Sequence, residues 1–328
     1  MLNWNELDRL IDASQRILLT THVRPDGDAL GSELGLAELL MARGKSVEIL
    51  NSSPTPARYK FLDPDGSLFR CIDPARAVPL STPDLFIVVD TGTWSQLAGL
   101  APYVRTIDYP KVVIDHHVSQ DDLGALRLVD TSAAASGMLI YQAYEALGGA
   151  ISPRAAQALF AAIAMDTGWM RHPNTSPEVM RAQAVLMERG AKPHEIYRLL
   201  FEQNRVERLR MMGLLFERIE RWQEGRLVSS YLAWSDIIAL GAHPMETEDF
   251  INELMTLAGV EVAILFIGQM DGGTKVSFRS RSSFDCSAFA EQFGGGGHRA
   301  AAGASLSEGV ESARDRILPI AREKWSQG

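Results

Sequence analysis

Residues 111–117 read KVVIDHH, a short apolar run that stops on an acid followed by two imidazoles. The same construction occurs twice upstream. Residues 16–22 (RILLTTH) end on His22 and lead into Val23-Arg24-Pro25-Asp26-Gly27-Asp28, and residues 85–92 (LFIVVDTG) turn at Asp90. Runs of this length with β-branched residues predict buried strands, and residues 46–50 predict another. Between them, residues 28–42 place Leu30, Leu34, Leu36, Leu39 and Leu40 on one helical face. Helices are also predicted over 133–147 and 154–165, the latter with Pro153 in its first turn. Strands alternating with helices imply an α/β fold with a doubly wound parallel sheet. Ligands bind such sheets at the carboxyl ends of the strands, which is where His22, Asp90, Asp115 and His116 accumulate. A further acid, Asp166, ends the apolar run 160–165.

Outward from this half the pattern changes. Residues 176–189 read as a helix that stops at Gly190, and 193–222 as one long helical stretch rich in Arg and Glu. Strands are predicted over 226–233, 260–267 and 275–280, and a closing helix over 308–323. The expected division is a catalytic domain over 1–190, a helical connector over 191–214 and a smaller α+β domain over 215–328. The 328 residues, 46% hydrophobic and 22% charged, are enough for more than one core and exclude disorder as the main state. No apolar run approaches the roughly 20 residues of a membrane helix. The polar start, MLNWNELDRLIDASQR, reads as an amphipathic helix rather than a signal peptide. Cys71 and Cys286 share no motif, so a reducing, cytoplasmic setting is expected. The net charge of −9 argues against wrapping long duplex nucleic acid; a small anionic substrate in a local pocket stays open.

Gathered in one crevice, Asp26, Asp28, Asp90, Asp115 and Asp166 would raise each other's pKa and could not all ionise without cations. Two divalent ions supply four positive charges. Oxygen and imidazole donors without thiolate suit Mn²⁺, Mg²⁺ or Zn²⁺, the carboxylate excess favours the first two, and three imidazoles lean away from Mg²⁺. A two-metal centre is a standard device for phosphoester hydrolysis, an activated hydroxide attacking phosphorus. Each piece alone has a plainer reading: Asp26-Gly27-Asp28 as a turn and helix cap, His116 as a core histidine. Capping requires no histidines, however, so the joint pattern points to metal.

Asp115-His116-His117, the His22-x3-Asp26-x-Asp28 spacing and Gly294-Gly295-Gly296-Gly297-His298 resemble the DHH/DHHA1 phosphoesterases over nearly the whole chain. Within that superfamily the size resembles the NrnA-type oligoribonucleases (nanoRNases) that also dephosphorylate pAp. The resemblance implies an α/β DHH domain, an α+β DHHA1 domain and a catalytic cleft between them. It implies His22, Asp26 and Asp90 on a first metal, and Asp28, Asp90, His116 and Asp166 on a second, with Asp90 bridging and Mn²⁺ as the ion. Asp115 would orient an imidazole, and His117 would face the scissile phosphate. Substrates would be short RNA oligonucleotides and nucleotide bisphosphates, and the family includes homodimers.

The substrate grip is expected in the second domain. Gly295, Gly296, Gly297 and His298 read as a glycine loop running into a small-residue helix (Arg299 to Gly303), whose N–H groups would hold a phosphate. Arg279 and Arg281, two apart on a strand, share a face suited to phosphate. Arg171, Asn174 and Thr175 are further substrate candidates by resemblance, while His172 reads as surface or packing. Trp169 would stack a base or pack. Residues 132–137 (SAAASG) match a small-residue segment near the metals, its plainer reading a close-packed helix start. Many relatives carry Asn where this chain has Gln120. Linear pApA-type dinucleotides, RecJ-like exonuclease action, pyrophosphate hydrolysis and a non-catalytic binding role are the competing readings.

Overall fold

In the computed structural model, residues 2–72 and 82–326 are described. The chain divides into two compact units, up to Gln203 and from Asn204 onward.

The first unit is built on strands β1 (Arg16–Thr20), β2 (Ser46–Asn51), β3 (Phe69–Cys71), β4 (Leu85–Val89), β5 (Lys111–Asp115) and β6 (Leu126–Val129). All pair in parallel, in the order β3-β2-β1-β4-β5-β6. Every residue of β4 is buried, as a central parallel strand covered on both faces must be. Its helices are α1 (Trp4–Ala13), α2 (Gly27–Ala42), α3 (Trp94–Leu97), α4 (Ala101–Val104), α5 (Ser136–Ala146), α6 (Pro153–Asp166), α7 (Pro177–Glu188) and α8 (Pro193–Phe201). One core holds α1, α2 and α5 to α8 against the sheet; the other packs α3 and α4 on the opposite face. The sheet is doubly wound, as its sequence predicts. The order reverses between β1 and β4, the point at which such sheets leave a crevice for ligand.

Caps fix the helix starts. Asp26 Oδ1 accepts from the N–H of Asp28 (3.0 Å) and Ala29 (3.1 Å), and Ser152 and Ser176 cap the proline-started α6 and α7. Helix α2 is buried on nearly all sides. Its Gly27, Gly31 and Gly35, one turn apart, lie against Met165, Ala158 with Ala162, and Leu159 of α6. Gly137, in the first turn of α5, meets Ala162 as well. Three helices therefore converge on small residues.

The second unit carries α9 (Val206–Glu217), α10 (Trp234–Ala239), α11 (Phe250–Leu254), α12 (Cys286–Ala290) and α13 (Val310–Ser326). Its strands are β7 (Glu220–Trp222), β8 (Leu227–Leu232), β9 (Val262–Gly268), β10 (Thr274–Ser280), β11 (Gly296–His298) and β12 (Ala301–Leu306). They form a mixed sheet, β11-β12-β10-β9-β8-β7, parallel only between β8 and β9. Helices α12 and α13 cover one face and α9 to α11 the other. This is the expected α+β arrangement.

Two sequence expectations are corrected. Residues 193–222 are not one helix: α8 ends at Phe201, α9 begins at Val206, and Glu220–Trp222 is strand. The apolar stripes explain the break, because Ile196 and Leu200 enter the core of the first unit while Met211 and Leu215 enter a core of the second. Residues 191–214 are accordingly shared between the units. The glycine segment also does not run into a helix; Gly296–His298 and Ala301–Leu306 form an antiparallel hairpin. Ala302 and Ala304 alternate inward while Ala301 and Gly303 are partly exposed, a period of two that alanine's helix propensity hides. A Cβ on Gly295 would lie 2.2 Å from the Gly303 carbonyl oxygen, and one on Gly297 would lie 2.6 Å from that of Ala301.

A methyl group at Gly31 would lie 2.4 Å from the Ala158 carbonyl oxygen and 2.8 Å from the Ala162 Cβ, with backbone on one side and no flexible tip to yield. Gly31→Ala is expected to destabilise the protein by about 1–3 kcal/mol through overpacking, read as a lowered midpoint in chemical denaturation. An unchanged midpoint would show that α2 and α6 do not need this close approach.

Candidate metal centre

His22 follows β1, Asp90 follows β4, and Asp115 closes β5 with His116 and His117 directly after it. The switch in strand order thus brings residues far apart in sequence to one sheet edge. Asp28 arrives on the first turn of α2 and Asp166 on the last residue of α6. Asp90 turns with φ +64°, a left-handed conformation that aspartate tolerates better than most residues.

The imidazoles are aimed. His22 Nδ1 donates to the Val23 carbonyl (3.0 Å) and His116 Nδ1 to the Ala133 carbonyl (3.2 Å), which turns each Nε2 toward the carboxylates. His22 Nε2 lies 3.4 Å from Asp90 Oδ2 and 3.9 Å from Asp26 Oδ1. His116 Nε2 lies 3.3 Å from Asp166 Oδ2, 3.6 Å from Asp90 Oδ1 and 3.7 Å from Asp28 Oδ2. The groups His22/Asp26/Asp90 and Asp28/His116/Asp166 each bring their donor atoms within 4.8 Å of one another. Asp90 faces both, one oxygen to each. Asp26 performs two tasks, capping α2 with the same oxygen that faces His22.

Charge confirms the strain of this gathering. Burial, followed by the charges of Asp90, Asp166 and Asp26, pushes the Asp28 carboxyl well above the usual range. Burial raises Asp166 to about 6. Burial opposes charge on His22, but its hydrogen bonds to Asp26 and Asp90 outweigh that and carry it to about 11. Asp26 is held low by His22 against the cost of burial. Among the described residues no lysine or arginine forms a salt bridge with these four carboxylates. An oxygen-and-imidazole donor set, with Nε2 atoms aimed at buried acids that no lysine or arginine pairs, fits divalent metal ions.

Supporting donors come from segments that the sequence marked only weakly. Asp28 accepts from the N–H of Ser136 (2.6 Å) and Gly137 (2.8 Å) at the start of α5 and from Ser32 Oγ (3.1 Å). Ser136 Oγ donates to Asp90 Oδ1 at 2.8 Å. The small-residue segment 132–137 therefore ends in two N–H groups and a hydroxyl directed at the carboxylates. Behind His22, buried Glu33 accepts from Asn51 Nδ2 (2.8 Å), and Asn51 Oδ1 accepts from the Thr21 N–H (3.1 Å). Burial raises Glu33 to about 8. Sequence reasoning missed this pair; the signal was an acid inside an otherwise apolar helix.

Asp115 is fully buried and stands behind the imidazoles. Its Oδ1 accepts from the N–H of His116 (2.8 Å) and His117 (3.1 Å) and from His117 Nδ1 (2.8 Å). Its Oδ2 accepts from Gln120 Nε2, while Gln120 Oε1 accepts from Arg127 Nη2 at 3.2 Å. Glutamine at 120 thus completes the seat of Asp115. The hydrogen bond to Asp115 raises His117 to about 9.

The remaining candidates are dispersed. Arg171 Nε donates to the Gly168 carbonyl (2.8 Å), Asn174 Nδ2 donates to the carbonyls of Ala134 (3.1 Å) and Asp166 (3.2 Å), and Thr175 Oγ1 is buried without a partner. His172 is exposed, its Nδ1 3.3 Å from the Asp166 carbonyl. Trp169 packs edge-on against Phe160, Tyr197 and Phe201. In the second unit, cross-strand register aligns His298, Ala301 and Arg279 on one face of the sheet. Arg279 Nη1 donates to the Phe278 carbonyl (3.0 Å) and Arg281 to that of Met255.

Comparisons with known proteins identify both units. The pattern described as "DHH family, N-terminal domain" matches residues 16–163, and that of the "DHHA1 domain" matches 225–326. A Thermus thermophilus protein named bifunctional oligoribonuclease and PAP phosphatase NrnA is 31% identical over 313 residues, covering 95% of this chain and 90% of its own. A Bacillus subtilis protein of the same name is 28% identical over 324 residues, covering 95% and 96%. The crystal structure of an exopolyphosphatase-related protein from Bacteroides fragilis superposes with a TM-score of 0.90 at 21% identity, covering 98% and 96%. No helix among the described residues is long and apolar enough to cross a membrane.

Metal uptake should displace protons. His22, raised to about 11, is protonated at pH 7.5 without metal and must lose that proton to ligate. Affinity for Mn²⁺ is therefore expected to rise between pH 6 and 8, with about one proton or more released per protein. Titration calorimetry in buffers of different ionisation enthalpy measures the number; zero release would remove His22 from the ligand set.

Proposed function

Since the chain belongs to the DHH/DHHA1 family of phosphoesterases and is a phosphoric ester hydrolase, we propose that it cleaves short RNA oligonucleotides to mononucleotides and removes the 3′-phosphate of pAp. The observation that carries the reading is the carboxylate of Asp90, which presents one oxygen to each of two His/Asp groups. His22, Asp26 and Asp90 would hold one divalent ion; Asp28, Asp90, His116 and Asp166 would hold a second. Mn²⁺ suits the mixture of three carboxylates and an imidazole better than Mg²⁺ does. When bound, such ions supply positive charge at the phosphoryl group and an activated water at neutral pH. The names of the two relatives support the choice of substrates.

The protein's own groups do the rest. The helix α5 N–H groups and Ser136 fix the carboxylates of Asp28 and Asp90 in position. Asp115 occupies Nδ1 of His117, so Nε2 of that half-exposed ring is the atom left to meet the phosphate. The Asp115 hydrogen bond keeps this ring protonated near neutral pH. A cationic donor there stabilises charge developing on the phosphoryl oxygens or leaving group. Arg279, with the exposed hairpin Gly296–His298 on the same sheet face, is assigned to phosphate and ribose recognition, with Arg281 beside it. Arg171, Asn174 and Thr175, after Asp166, are assigned to the substrate side of the loop.

Turnover with Mn²⁺ should be fastest on a 5′-phosphorylated RNA dinucleotide, slower on a 24-mer, and present on pAp but absent on pyrophosphate. Asp90→Ala should abolish it, and His117→Ala should lower kcat by about 10²–10⁴-fold. Pyrophosphate hydrolysis alone, or full activity of Asp90→Ala, would overturn the reading. The hairpin gives a separate test. A Cβ at Gly296 meets nothing within 4 Å, so Gly296→Ala should fold normally and raise KM for the dinucleotide. An unchanged KM would remove the hairpin from substrate recognition.

A further inference from the structure

Glu33 is a fully buried acid in a helix whose Leu30, Leu34 and Leu36 are buried as well. Its Oε2 accepts from Asn51 Nδ2 at 2.8 Å. Asn51 is the last residue of β2 and is itself buried. Its Oδ1 serves the end of β1, accepting from the Thr21 N–H at 3.1 Å and lying 3.4 Å from Thr20 Oγ1. The parallel register of β1 with β2 runs from Arg16 on Ser46 to Leu19 on Ile49. The strand ladder thus stops short of Thr21, and a side chain takes its place. The next residue is His22, whose Nδ1 meets the Val23 carbonyl and whose Nε2 lies 3.4 Å from Asp90.

Stability does not account for this relay. A buried acid is costly to desolvate, and replacing buried polar pairs by apolar residues of similar volume is often neutral or stabilising. The relay is also incomplete: Glu33 Oε1 and Thr21 Oγ1 are buried without a hydrogen-bond partner among the described residues. A half-satisfied network inside a core costs more than it returns in stability. What the relay fixes is position.

We propose that Glu33 and Asn51 are positioning residues of the candidate metal centre. The carboxyl group on α2 holds the carboxamide at the end of β2, and the carboxamide fixes the peptide from which His22 leaves the sheet. Helix α2 also carries Asp28 and is capped by Asp26. The relay therefore ties the end of β1 to the helix that presents these two acids, so that the imidazole and the carboxylates keep one spacing. Neither residue is itself a ligand, and the inference rests on the ligand role given to His22 above.

Titration calorimetry of the full chain with Mn²⁺ tests this by affinity rather than by turnover. Glu33→Leu fills the same space without an acceptor, and Asn51→Ala removes both links. Each is expected to raise the Kd for Mn²⁺ by about 10–100-fold, as loss of a partner behind a metal ligand does. Glu33→Gln keeps an acceptor for Asn51 Nδ2 and should stay within about twofold of wild type. The double variant should bind no more weakly than Asn51→Ala alone, because Glu33 acts through Asn51. A merely structural role would shift the thermal midpoint of the metal-free protein and leave the Kd of the folded chain where it is. Wild-type affinity in both Glu33→Leu and Asn51→Ala, a Gln variant as weak as the Leu variant, or additive losses in the double variant would overturn the inference alone. No uptake of Mn²⁺ by the wild type would overturn the metal reading and this inference with it.

Discussion

The close approach of α2 to α6 is the contact on which the candidate metal centre depends. Gly31 on Ala158 and Ala162, with Gly27 on Met165, draws the start of one helix to the end of the other. That brings Asp28 and Asp166 to the same edge, each beside His116. Gly137 packs on Ala162 from the third side, so the first N–H groups of α5 reach the Asp28 carboxylate. A bulkier side chain at Gly31 would press the two helices apart at the point where they carry these acids. The parallel sheet supplies the other half: its switch between β1 and β4 sets His22 beside Asp90.

The centre is thus organised around charge that the fold alone does not neutralise. Backbone N–H groups, a serine hydroxyl and the imidazoles stabilise the carboxylates only in part, which is why Asp28 and Asp166 resist ionisation and His22 retains its proton. Asp115 is treated differently. Surrounded by donors from His116, His117 and Gln120, it is satisfied without a cation and acts on the imidazoles instead. Two kinds of buried acid stand side by side, one set left unneutralised by the chain and one satisfied by it.

The sequence made the first unit readable because its strands are continuous apolar runs and each ends on a chemically distinctive residue. His22, Asp26, Asp28, Asp90, His116 and Asp166 were legible as a set, and the structure brings them together. Residues whose contribution comes through backbone or packing were not. Segment 132–137 stood out only by resemblance, because Ser136 and Gly137 act largely through N–H groups, which no residue type announces. Glu33 and Asn51 are joined only by the pairing of distant elements. The hairpin of the second unit was misread because Ala300-Ala301-Ala302 favours helix locally, while pairing with β10 and burial of Ala302 and Ala304 decide for strand. The long helix over 193–222 was misread for a related reason: helix propensity persisted through a stretch in which the buried face changes core.

The candidate ligand set enters the chain between His22 and Asp166, at the ends of β1, β4, β5 and α6 and at the start of α2. During synthesis the anionic strand ends therefore emerge one by one, and no pair of cation sites is complete until α6 has left the ribosome. A parallel sheet already forms late, since each pairing awaits a crossover. Here α6 also completes the gathering of acids that the earlier elements begin. Any metal capture would then follow the docking of α6, and until it does the carboxylates of the candidate centre repel one another.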